Sequence, residues 1–115
     1  MEKTVRERIK DYQSEILSGN LNPDRLSEML LEITALIGNI GDYITDCEMS
    51  YNKVLDNFYE REETANRAKI KADISNEYKE MKQAKTIEKV AIGVERAIKY
   101  RLRVMASEWQ AGGNF

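Results

Sequence analysis

The chain has 115 residues, of which 33% are charged and 42% hydrophobic, with one proline, one cysteine, no histidine and a net charge of −2. That length holds one domain with one modest core, and the mix is that of a helical protein rather than a sheet or a disordered tail. No apolar run approaches the roughly 18 residues of a membrane span, and no apolar signal core follows Met1-Glu2-Lys3-Thr4, so a cytoplasmic home is expected.

Thr4-Val5-Arg6-Glu7 reads as a capping box, in which the threonine hydroxyl accepts from an early helical amide. Val5, Ile9, Tyr12, Ile16 and Leu17 then recur at helical spacing, and Gly19-Asn20 supplies a stop. The first helix is expected over about residues 5–18.

Asn22-Pro23-Asp24 starts the second helix: asparagine caps, proline fits the first turn, and aspartate meets the positive end of the dipole. Leu26, Leu30, Ile33, Ile37, Ile40, Ile44, Cys47, Tyr51, Val54 and Phe58 follow at spacings alternating four and three, a heptad seam. Met29, Leu36 and Tyr43 widen it, and Cys47 is expected to act as a small buried hydrophobe. Gly38 and Gly41 each cost about 1 kcal/mol relative to alanine. A break there, with Asp42 recapping, competes with continuity. Ile37, Ile40 and Ile44 stay in register and favour continuity, with the glycines admitting a close helix.

Weaker apolar positions continue through Ala65, Ala68 and Ala72, interrupted by Arg61. Asp73 and Ser75 are candidate caps for a new helix, yet Ile74, Tyr78 and Met81 preserve an apolar face. The boundary is therefore expected at Lys82–Thr86, where the earlier register is lost and Thr86 is a candidate cap, giving a second helix over about 23–82 and a third over about 87–109. In the third, Ile87, Val90, Ala91, Val94, Ile98, Leu102, Met105 and Trp109 share one face. Lys82, Lys85, Lys89, Arg96, Lys99 and Arg103 lie almost opposite. Trp109 is expected to close the local core rather than anchor a partner. Residues 111–115 should fray into a flexible tail, in preference to presenting Phe115 as a peptide ligand.

The fold class expected is all-α: an elongated helical hairpin or coiled-coil rod, one domain over residues 1–110, with one long central helix and two shorter covering helices. Two layers of helix leave much of the seam wet, and uncovered apolar patches mark interfaces. A two-fold homodimer is expected, forming a four-helix layer through Ile33, Ile37, Ile40, Ile44, Tyr51 and Phe58. Another protein would satisfy the same stripe.

The composition offers little chemistry. Without histidine the commonest general base and zinc ligand is missing, and no Cys-x-x-Cys, phosphate loop or nucleophile elbow occurs. Glu60, Glu62 and Glu63, and Glu77 with Glu80, are interleaved with cations and read as a solvated face with local ion pairs. No enzyme, cofactor or metal site is expected. Charge, however, is unevenly spread: residues 1–60 carry 6 basic and 12 acidic side chains, and residues 61–115 carry 12 basic and 8 acidic. The Lys82–Arg103 stripe is spaced to track a phosphate backbone without base readout, with Tyr78 and Tyr100 available for stacking. The alternative is a solvated face, or pairing with acids of the N-terminal half.

The run from Leu26 to Tyr51 with Asp46-Cys47-Glu48, then Glu77-Tyr78-Lys79-Glu80, a lysine-rich turn and Glu95 through Arg101, resembles small helical proteins of tailed phages. Those proteins are often encoded among replication and recombination functions, and the likeness spans residues 26–109. It implies a phage accessory protein and assigns no site residues. Three functions follow: a self-associating scaffold or adaptor, a sequence-independent nucleic-acid binder, or an inhibitor whose acidic N-terminal half mimics nucleic acid.

Overall fold

The computed structural model describes residues 3–19, 21–62 and 64–113, with side chains through residue 108. Among the described residues there are four helices and no strand: α1 (Val5–Ser18), α2 (Pro23–Arg61), α3 (Ala65–Ala72) and α4 (Asn76–Gly113). The all-α expectation holds. Two long helices of 39 and 38 residues, rather than one, carry the chain.

The first two starts lie where sequence chemistry puts them. Thr4 Oγ1 accepts from the Glu7 amide at 3.2 Å, and Asn22 Oδ1 accepts from the Arg25 amide at 2.8 Å. Gly19 ends α1 in the left-handed region, φ 73°, donating its N–H to the Ile16 carbonyl. α2 runs unbroken through Gly38 and Gly41. A Cβ added at either glycine meets nothing within 4 Å, so they mark no close helix approach.

The later boundaries differ from expectation. α2 ends at Arg61, not near Lys82. Thr64 accepts from the Arg67 amide at 3.2 Å and starts the short α3, while Glu62 and Lys71 form an ion pair across it. Ser75 accepts from the Tyr78 amide at 3.2 Å and starts α4. Thr86, read as a cap, instead donates to the Lys82 carbonyl at 3.0 Å, as a threonine inside a helix does. The register is not lost at residues 82–86, because Met81, Ala84, Ala91, Val94 and Ile98 are all buried on one face. α4 also continues through residues 111–113, expected to be a frayed tail, and residues 114–115 lie outside the described residues.

Packing divides the chain into two units, Met1–Gly38 with Lys89–Phe115, and Asn39–Glu88. Each is built from three helical segments. In the first, α1, the start of α2 and the later part of α4 bury Ile9, Leu26, Met29, Ile33, Val94 and Ile98. Tyr12 donates to Glu32 at 2.8 Å and Arg25 binds Glu15 at 2.7 Å, so α1 and α2 run antiparallel. In the second, the end of α2, α3 and the start of α4 bury Ile40, Ile44, Cys47, Ala68, Ala72 and Ala84. Tyr51 donates to Asp73 at 2.5 Å and its ring lies 5.4 Å from that of Tyr78.

Candidate interaction surfaces

The residues expected to form an oligomer interface are placed differently from one another. Ile33, Ile40 and Ile44 are 0%, 4% and 6% exposed within the single chain, so its own helices already cover them. Ile37, Tyr51 and Phe58 are half-buried, and the Tyr51 hydroxyl is engaged by Asp73. The seam is therefore core first. Two helices would leave it wet, but each unit supplies a third segment, which is why the expected interface fails as a free surface. Tyr43, read as widening the seam, is 52% exposed, and Leu17 of α1 is 87% exposed. The Trp109 side chain and Phe115 lie outside the described residues.

The basic residues share one helix, including Lys82 and Lys85, expected at a helix boundary. Lys82, Lys85, Lys89, Arg96, Lys99 and Arg103 all lie on α4 and all are exposed. In the first unit, Lys89, Gly93, Arg96, Tyr100 and Arg103 fall within an arc of about 80° at roughly 100° per residue. Tyr100, at its centre, is 62% exposed. Lys99 pairs with Glu95 of its own helix at 3.5 Å, whereas Lys89, Arg96 and Arg103 pair with no acid among the described residues. Among the described residues, none of these three pairs with the acidic N-terminal half. In the second unit, Lys82 sits 5.2 Å from the Tyr78 ring centroid, a cation–π contact, and Lys85 pairs with no acid among the described residues.

An acidic counterpart lies on the outer face of α2 in the second unit. Asp42, Asp46, Met49, Lys53, Asp56 and Glu60 share an arc of about 80° and are all exposed. None of the five charged ones pairs with another described residue, and Met49 is 57% exposed. The anionic charge here is left for solvent or a partner.

Beside the basic face, a largely apolar groove of about 590 Å³ runs between α1 and α4, lined by Ile16, Leu17, Val90, Gly93, Val94 and Ala97 with the polar Gln13. These side chains bring no charge, and the groove presents mainly apolar surface. It escapes sequence reading because Leu17 and Val90 fit the helical apolar spacing and were assigned inward. The separation of Val90, Gly93 and Ala97 by three and four is its only sequence trace.

Most polar side chains inside each unit are engaged, the exception being the buried Arg101 Nε, which has no hydrogen-bond partner among the described residues. Arg25 bonds Glu15 through two nitrogens, at 2.8 and 2.7 Å, and reaches Glu28 at 3.2 Å. This raises Arg25 further above its ordinary range and holds the Glu15 carboxyl below its own. Burial and the bond to Glu32 push Tyr12 up to about 12. The bond to Asp73, then burial, pushes Tyr51 to about 12. The described residues contain no group of three or more acids or cysteines able to hold a metal ion, and no helix long and apolar enough to cross a membrane.

No protein-family model, curated protein or solved structure matches the chain.

Proposed function

We propose that this chain is a non-enzymatic helical interaction protein, an adaptor or scaffold that works through the outer faces of α4 and α2. The observation that carries this is the unneutralised charge on both. Lys89, Arg96 and Arg103 on one, and Asp42, Asp46, Asp56 and Glu60 on the other, are exposed and unpaired among the described residues, around an exposed Tyr100 or Met49. Aromatic residues, methionine and arginine are enriched at recognition surfaces, where charge lies at the rim. A place among the accessory proteins of phage replication and recombination agrees with the sequence resemblance and belongs to the same proposal. A photo-crosslinking residue at position 99, expressed in the source cell, should give protein adducts that disappear on Lys89→Glu/Arg96→Glu. Adducts unchanged by that pair overturn the assignment of α4.

A second reading, binding of a nucleic-acid backbone, is favoured by the same unpaired cations. Anisotropy of labelled single- and double-stranded DNA at two salt concentrations separates them. Weak binding is expected, since the chain carries a net charge of −2. Tight binding that falls steeply with salt and is lost in Lys89→Glu/Arg96→Glu/Lys99→Glu replaces the protein partner with nucleic acid.

A further inference from the structure

The two charged faces described above are complementary, and the match extends to spacing. On α4, Lys89, Arg96 and Arg103 repeat every seven residues; on α2, Asp42, Met49 and Asp56 do the same. The outer members are 14 residues apart on both helices (103 − 89 and 56 − 42), roughly 21 Å at 1.5 Å per residue. We infer that the partner of the α4 face is a second copy of this chain, which lays its α2 outer face on α4 in antiparallel register. This rests on the adaptor reading and names its partner.

In that register Asp56 of the second copy meets Lys89, Asp42 meets Arg103, and Met49 falls opposite Arg96. Gly93 and Tyr100 flank that central position. A Cβ at Gly93 would meet nothing within 4 Å, so the backbone there lies open to an approaching side chain, and Tyr100 offers an exposed ring to the thioether. Lys53 is the one cation on the acidic face, and it lies over Ile92 and Gly93, which bring no charge. Antiparallel helices also set opposite dipole ends side by side. Seven-residue spacing on both faces is what lets two helices stay in contact over several turns.

The test is the molar mass of the purified full chain by light scattering and sedimentation. At about 0.1 M salt the mass should exceed that of one chain, and at about 1 M it should fall toward it as the Debye length shrinks from roughly 10 to 3 Å. Lys89→Glu/Arg103→Glu should weaken self-association about tenfold. Adding Asp42→Lys/Asp56→Lys to that variant recreates both pairs with reversed sign and should restore it. Adding Glu48→Lys/Glu80→Lys, the same net charge at exposed positions off the faces, should not. All these positions are exposed, and circular dichroism checks each fold. If the reversed pair unfolds, Lys89→Gln/Arg103→Gln takes its place. A monomer under every condition overturns the second copy as partner, as does assembly indifferent to salt, or rescue by the off-face control. The adaptor reading fails separately, when α4 crosslinks ignore Lys89 and Arg96.

Discussion

Gly38→Ala/Gly41→Ala should raise the melting temperature. Both glycines sit inside α2, where a continuous helix gains about 1 kcal/mol for each glycine replaced by alanine. The gain is collected only where the backbone is already helical and the new methyl has room. Both conditions hold: Gly19 alone has positive φ among the described residues, and a Cβ at Gly38 or Gly41 finds open space within 4 Å. Two sites give about 2 kcal/mol. For a chain of this size the unfolding entropy is roughly 240 cal/mol/K, so 1 kcal/mol moves the midpoint by about 4 °C and the pair by about 8 °C. Thermal melts followed by circular dichroism measure it directly. A lowered midpoint refutes the reasoning. It would mean either that α2 breaks at Gly38, with that glycine left-handed, or that another helix packs against the pair.

Other substitutions probe the boundaries and the core. Ser75→Ala should cost about 1 kcal/mol, because it removes the oxygen that accepts from the Tyr78 amide, while Thr86→Ala should be neutral or stabilising. Denaturant titration that finds the reverse would place the helix start near residue 86. Ile44→Asp should cost several kcal/mol through an unpaired buried charge, and the loss should appear as unfolding at every protein concentration, since Ile44 is core within one chain. Concentration-dependent loss would return it to an interface. Alkaline pH should destabilise the fold. Tyr12 and Tyr51 hold their protons to about 12, against 10 in the unfolded chain, so their contribution is whole below pH 10 and drains away between 10 and 12. Tyr12→Phe/Tyr51→Phe should flatten that slope in pH-dependent melts.

Much of the fold is legible in the sequence, and the reasons for the misses are specific. Caps at Thr4 and Asn22, the stop at Gly19 and the continuity of α2 across its glycines each follow from local chemistry. The miss lies between residues 62 and 86. There the apolar signal is carried by alanines: Ala68, Ala72 and Ala84 are all at most 3% exposed. Alanine allows close packing but adds little to a hydrophobic stripe, so the apolar stripe thins at Ala84 although the register continues. Conversely Ile74, which reads with Tyr78 and Met81 as one apolar face, is 72% exposed. Ser75 and Thr86 are equivalent as caps on paper. Only the packing of Met81 and Ala84 decides between them.

The same alanines relocate the candidate site. An apolar seam on a two-helix rod must find a partner, whereas one covered by a third segment has found it within the chain. What remains outside is charge, with isolated apolar side chains among it. Exposed ion pairs contribute about 0–1 kcal/mol each, so a surface built on them alone binds weakly and yields to salt. Affinity has to come from the anchors that those charges orient: Met49 on α2, Tyr100 on α4, and the groove beside Leu17 and Val90. Such a division of labour suits a protein that engages and releases partners. On the proposed reading, the charged ladder would fix which helix meets which and in what register, and the few apolar contacts would set how long the encounter lasts.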